Sequence, residues 1–194
     1  MASHFGDTTL VHSAHGWLGG FGFASPALQL SDRDRWIGWD AEQRRAQLHR
    51  IVGLSRFLIR PSVDCRNLAS RLLSISLERL VEDFRQRYHY EPWLVESFVD
   101  ASRFSGSCYR AANWILVGQT QGRGRQDRFK EREETVKDIY VFPLEKDFRT
   151  RLGLPAGAGL GDVRLSERLV RLQNPNRRNR AVPLPEWPKG IGPP

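Results

Sequence analysis

Apolar residues recur at helical spacing through "LASRLLSISLERL", where Leu68, Leu72, Ile75 and Leu80 share a face that Leu73 and Leu77 widen. That pattern predicts an amphipathic helix from about Leu68. The period changes at "PWLVESFVD": Leu94, Glu96, Phe98 and Asp100 alternate with Val95, Ser97 and Val99, as on the two sides of a strand. Ahead of the helix, "SRFLI" is short, apolar and stopped near Pro61, a central strand. "GWLGGFGFASPALQL" reads as a glycine-loosened strand that Pro26 ends or bulges. Asp40 caps a helix over "AEQRRAQLHRIVGL", in which Ala41, Arg45, Leu48 and Val52 recur. "SDRDRWIGWD" reads as a polar turn followed by a short aromatic stretch, with Trp36 and Trp39 at the core or its edge. "GSCYRAANW" is a short helix, "ILVGQT" a strand and "KDIYVFPL" a last strand. Strands alternating with helices predict an α/β (α+β) domain over residues 15–152.

Outside that span the pattern weakens. Residues 1–14 carry no periodicity and are expected to be a frayed remnant. "GLPAGAGLG", residues 153–161, has the composition of a linker. A short helix is expected at 162–173, followed by a basic, proline-rich tail over 174–194 that is expected to be disordered. Within the domain, Gly118, Gly122 and Gly124 break any helix at the start of "GQTQGRGRQDRFKEREETV".

Charge adds a partner class. The net charge is +8 with a pI near 10.2. Of the 30 basic residues only Lys130, Lys137, Lys146 and Lys189 are lysine, and the other 26 are arginine. Arginine forks onto phosphate and stacks on bases, so the balance suits a polyanion such as DNA. Codon use in a GC-rich genome gives the same bias without any partner, and both explanations stay open. No run of about 18 uncharged apolar residues occurs, so no membrane span is expected. The start lacks a basic stretch before an apolar one, and Cys65 and Cys108 are too few for a disulfide scaffold. A cytoplasmic, reducing setting is expected.

The order of strand, Pro61 turn, small-residue loop, helix ending "LLSISLERL", strand, and short helix with a tyrosine resembles the core of the GNAT-type acyltransferases. That resemblance implies a mixed central sheet flanked by helices. It also implies a loop whose backbone amides meet the pyrophosphate of an acyl-coenzyme A at a helix N-terminus. Asp64 stands where that loop has Gln or Arg, Asn67 where it has its first Gly, and Ala69 at the last small position. Asn67, Leu68, Ala69 and Ser70 are therefore the cofactor-binding candidates if acyl-CoA binds. The expectation is that the Asp64 and Asn67 side chains cap this helix and fill the anion site from within. "CYRAANW" is similar to the segment that carries the general-acid tyrosine, with Tyr109 at that position, Asn113 in place of a Gly and Trp114 at the final aromatic. Tyr109 as a packing residue with a satisfied hydroxyl is the competing role.

A narrower resemblance rests on longer stretches. "RDRWIGWDAEQRRAQLHRIVGLSRFLI", "NLASRLLS", "EPWLVESFVDASRFSGSCYRAANWILVGQTQGRGRQDR" and "KDIYVFPLEKDFR" are similar to the domain named for DruA of the Druantia anti-phage system, a domain also fused to DDE transposases. It covers about Gly16 to Leu152. "GLGDVRLSERLVRL" resembles the opening of the DNA-binding domain of cut-and-paste DDE transposases, and only that opening is present. Together these imply a mobile-element or anti-phage-defence accessory domain from a truncated transposase, noncatalytic and DNA-associated, with transposase or defence components as possible partners. An acyl-CoA-dependent acyltransferase and a nonfunctional decayed fragment are the alternatives.

For DNA the candidate residues are Arg123, Arg125, Arg128 and Lys130, on a glycine-bearing loop where Phe129 is placed to stack on a base. A merely solvated loop, offset by Asp127, Glu131, Glu133 and Glu134, is the alternative. Glu96, with Tyr109, is the catalytic candidate if the chain is an acyltransferase, and Glu91 and Asp100 lie near it in sequence. A strand acid of this kind more often pairs with an arginine. The five histidines form no ligand spacing, so no metal is expected, and Cys108 reads as a buried inert thiol.

Overall fold

The fold is taken from a computed structural model that describes residues 6–14, 16–122 and 135–154. Six strands form one sheet: β1 (Gly6–Ser13), β2 (Gly16–Ala24), β3 (Ile51–Ile59), β4 (Leu94–Asp100), β5 (Ile115–Gln119) and β6 (Lys137–Pro143), in the order β1-β2-β3-β4-β6-β5. Every neighbouring pair is antiparallel except β3 and β4. Helices α1 (Ser31–Ile37), α2 (Ala41–Gln47), α3 (Leu68–Tyr88), α4 (Ser107–Ala111) and α5 (Phe148–Arg151) flank it, with a 3-10 turn at Leu48–Arg50. The mixed sheet flanked by helices is the architecture expected.

Two cores lie on the sheet's two faces. The α3 stripe of Leu72, Leu73, Leu77, Leu80 and Phe84 packs on Phe21, Phe23, Val52, Leu54, Val95 and Val99. On the other face Trp36, Ile37 and Trp39 pack with Ile51, Leu94, Ile139, Val141 and Phe148. The alternation read in β4 is realised: Val95 and Val99 belong to the first core, and Leu94 to the second.

Three expectations are corrected. Residues 6–13 are not frayed but form edge strand β1 against β2, with a bulge between Val11 and His12. Thr8, Thr9, Leu10 and His12 are exposed, and a strand open to solvent along an edge carries no clean alternation. "SDRDRWI" is helix α1 rather than a turn, because Arg33 and Asp34 are buried and no helical apolar stripe marks it. The helix after Asp40 ends at Gln47, and Ile51 opens β3. Asp40 does cap it, its carboxylate accepting from the Glu42 and Gln43 amides at 2.8 Å while the Gln43 side chain returns to the Asp40 amide.

Candidate functional site

The one parallel junction in the sheet defines the site. Strands β3 and β4 pair through four residue pairs only, from Ile51 with Leu94 to Leu54 with Ser97. Beyond that, β3 runs on to Ile59 against β2, and β4 runs on to Asp100 against β6. The strands fork, and the fork opens at their carboxyl ends, beside the loop that enters α3. Open α/β sheets bind ligands at such junctions.

This fork is closed from within. The Ser97 hydroxyl donates to the Leu54 carbonyl at 3.3 Å and lies 2.9 Å from the Tyr109 hydroxyl. The Tyr109 ring stacks on Tyr140 of β6 at 5.1 Å and meets Phe57 of β3 and Trp114 edge-on at 6.4 and 5.2 Å. Tyr109 thus ties both arms of the fork together and is only 7% exposed. Burial pushes its phenol up to about 12, although the hydrogen bond to Ser97 pulls the other way. Its ring is packed on three aromatic neighbours and its hydroxyl is bonded to Ser97, which is the packing arrangement.

Gly106 precedes α4 at φ 64°, and a Cβ there would run into the Tyr140 hydroxyl. Only glycine lets α4 approach closely enough to deliver Tyr109.

Glu96 is equally committed. It is 0% exposed and accepts from Arg33 Nη1 at 2.7 Å and from the Ala27 amide at 2.6 Å. Arg33, also 0% exposed, donates through Nε to Asp34 at 2.9 Å and through Nη1 to the Ala27 carbonyl at 2.9 Å. Trp39 Nε1, Arg44 and the Leu30 amide also donate to Asp34. Burial pushes the Glu96 carboxyl above its usual range, and Arg33 opposes that. Glu96 lies on the face opposite Tyr109, so the two do not form a common site. Asp100 bonds Ser102, and Glu91 bonds Arg85, so neither acid joins Glu96. Cys108 is half-buried and burial pushes its thiol up, as suits an unreactive thiol.

The α3 entrance departs from expectation. Asn67 is the N-cap residue in the left-handed region, φ 60°, and its side chain makes no capping hydrogen bond. The Cys65 carbonyl accepts the Leu68 amide at 3.2 Å, and the Ser70 hydroxyl turns back to the Asn67 carbonyl at 3.1 Å. The Ala69 and Ser70 amides receive no side-chain cap from Asn67. The anion site is therefore not filled by Asn67. Asn67 and Asn113, at φ 60° and 65°, stand at the two positions where the acyltransferase pattern has glycine. Both keep the left-handed backbone glycine would supply, and asparagine tolerates it better than most residues.

Arg123, Arg125, Arg128 and Lys130 lie outside the described residues, as do the 162–173 helix and the 174–194 tail. What the sequence did not single out is a second group of arginines at the fork mouth. Arg60 and Arg66 lie between β3 and α3, and Arg103 lies between β4 and α4, beside Phe104, which is 58% exposed. The Arg103 guanidinium sits 5.5 Å from the Phe104 ring centroid. Among the described residues no three His, Cys, Asp or Glu side chains gather as a metal site. No helix among them is long and apolar enough to cross a membrane.

A six-stranded mixed sheet with one forked parallel junction, flanked by helices on both faces, defines the class. Its outline is similar to solved acetyltransferases. One is a GNAT-family acetyltransferase from Bacillus cereus ATCC 10987, with 13% identity, 70% of this chain and 69% of that one covered, and a TM-score of 0.42. Another is the spermidine/spermine N-acetyltransferase SpeG from Vibrio cholerae, with 11% identity, 74% and 68% covered, and a TM-score of 0.46. None of the curated proteins matches this chain. Residues 9–132 match the family described as Druantia protein DruA. The chain belongs to the DruA family, which makes it akin to a component of an anti-phage system.

Proposed function

We propose that this chain is a noncatalytic accessory domain of anti-phage defence or of a mobile element, associating with DNA through arginine contacts to phosphate. The observation that carries the noncatalytic part is the closed fork: the tyrosine placed for proton donation is consumed in packing and in its bond to Ser97. The net charge of +8, the arginine bias, and Arg66, Arg103 and exposed Phe104 at the fork mouth support the DNA part. The transposase-like stretch at 159–172 supports a mobile-element setting, with transposase or defence components as the partners this reading expects. The expected setting is the cytoplasm, with no cofactor.

Retention of a short DNA duplex in a gel-shift titration tests this reading. Binding at low salt should fall steeply between about 50 and 200 mM salt, with each phosphate contact adding close to one unit to the log–log slope. Charge reversal at Arg66 and Arg103 should flatten that slope. Retention no greater than that of a neutral control protein at low salt overturns the proposal.

One observation favours a second reading, an acyltransferase using acyl-CoA: the α3 entrance keeps amides that Asn67 does not cap. Titration calorimetry with acetyl-coenzyme A separates the two. Saturable heat at millimolar ligand supports the enzyme, and its absence removes the cofactor.

A further inference from the structure

Among the described residues strand β1 pairs only with β2, and its other edge is open. A groove of about 730 Å³ separates it from α3, lined in part by Thr9, Val11, Leu72 and Ile75. Natural sheets guard such an edge with lysine, proline, a cover or a short strand. Eight residues long, β1 has neither lysine nor proline. Its one irregularity leaves the extra residue, Leu18, on β2, because Val11 pairs with Gly19 and His12 with Trp17. Leu10, in the middle of the strand, is 60% exposed.

Charge selects the occupant. The chain carries 30 Lys and Arg residues, and the first of them is Arg33, so β1 and β2 hold none. The arginines on the α3 wall of the groove are engaged, Arg79 with Asp83 and Arg87 over the Tyr88 ring. A polyanion finds no counter-charge on this strand pair. Two copies of a chain with net charge +8 repel where their arginines meet, and here they can approach.

The faces of the strand select one register. Val11 packs with the core beneath α3, and Thr9 stands opposite Phe21 of that core, so both point to α3. Alternation puts Thr8, Leu10 and His12 on the other face. A two-fold axis normal to the sheet keeps α3 of both copies on one side, so only residues of like face stand opposite each other. With the axis at Leu10, that residue meets the partner's Leu10, Thr9 meets the partner's Val11, and Thr8 meets the partner's His12. An axis at Thr9 or Val11 sets Leu10 against threonine or histidine instead. Apolar and β-branched cross-strand pairs favour the first arrangement.

We propose that β1 is a homodimer interface, in which the edges of two copies pair antiparallel about Leu10 and join the two six-stranded sheets into one. The interface is separate from the fork and from DNA.

Sedimentation equilibrium of the full-length chain, free of DNA, tests the proposal. Monomer and dimer should exchange at roughly micromolar concentrations, as suits a small interface. Leu10→Lys sets like charges opposite each other at the axis and should weaken association at least about tenfold. Leu116→Lys, on edge strand β5 and replacing a leucine 50% exposed, should leave association unchanged. Under mild oxidation Leu10→Cys should cross-link into a disulfide dimer much faster than Thr8→Cys, which faces the partner's His12. Thermal melts confirm that the variants fold. A parent chain that stays monomeric at about 200 µM overturns the proposal. Equal association of the two lysine variants, or equal cross-linking of the two cysteine variants, overturns it as well.

Discussion

The two faces of the sheet are stabilised in different ways. Beneath α3 the contacts are apolar and non-directional, with the Ser97–Tyr109 pair as a small polar inclusion. On the opposite face the tryptophans and isoleucines surround a fully buried guanidinium, and Arg33, Asp34 and Glu96 fix the approach of residues 27–44 to β4 through directed bonds. A hydrophobic face tolerates repacking when volume is kept. A buried ion pair fixes geometry, tolerates no single loss, and contributes little net stability when both charges are removed together.

The sharpest way to break this contrast is to remove one partner. Glu96→Ala removes one of the two carboxylates that hold the buried Arg33, leaving Asp34 alone, and should cost about 3 kcal/mol in urea unfolding at pH 7. The double change Arg33→Met with Glu96→Leu should recover most of that loss. A single variant as stable as the parent would show that water reaches the pair.

The next effect appears in alkali on the other face. The folded Tyr109 phenol sits at about 12, above its ordinary 10, so between those values the folded chain keeps a proton the unfolded chain has lost. Its stabilising contribution is complete below pH 10 and is lost as pH rises toward 12, up to about 2.5 kcal/mol. Tyr109→Phe should cost about 1 kcal/mol at pH 7 through the lost hydrogen bond to Ser97, and should remove this alkaline decline. Parallel stability–pH curves for parent and variant would contradict the burial of that hydroxyl.

The smallest effect concerns the α3 entrance. Asn67→Gly relieves a left-handed Cβ and should raise stability by about 0.5 kcal/mol, a rise of a few degrees or less in melting temperature. A loss of stability would mean that the asparagine side chain has a partner there.

Much of this fold was legible because its main elements bury one regular stripe. The α3 stripe and the β4 alternation carry periods that no other structure uses as well. Helix α1 was not legible, since Arg33 and Asp34 are core residues there and charged letters announce surface. Strand β1 escaped because threonine, histidine and leucine on an exposed edge follow no alternation. The site was half legible. The acyltransferase resemblance pointed to Tyr109 and the strand alternation to Glu96, but only the fold shows that Ser97 and Arg33 occupy them. Those partners are 12 and 63 residues away, beyond any local pattern. Asn67 and Asn113, where the resembling pattern has glycine, both keep a positive φ.

The short parallel junction has a mechanical consequence. Three strands on one side, β1-β2-β3, and three on the other, β4-β6-β5, are each stitched antiparallel along their length and share only the pairs from Ile51–Leu94 to Leu54–Ser97. Pulled apart across that line, the domain would part into two ribbons, held only by what spans the line: α3, the Tyr109 ring and the second core.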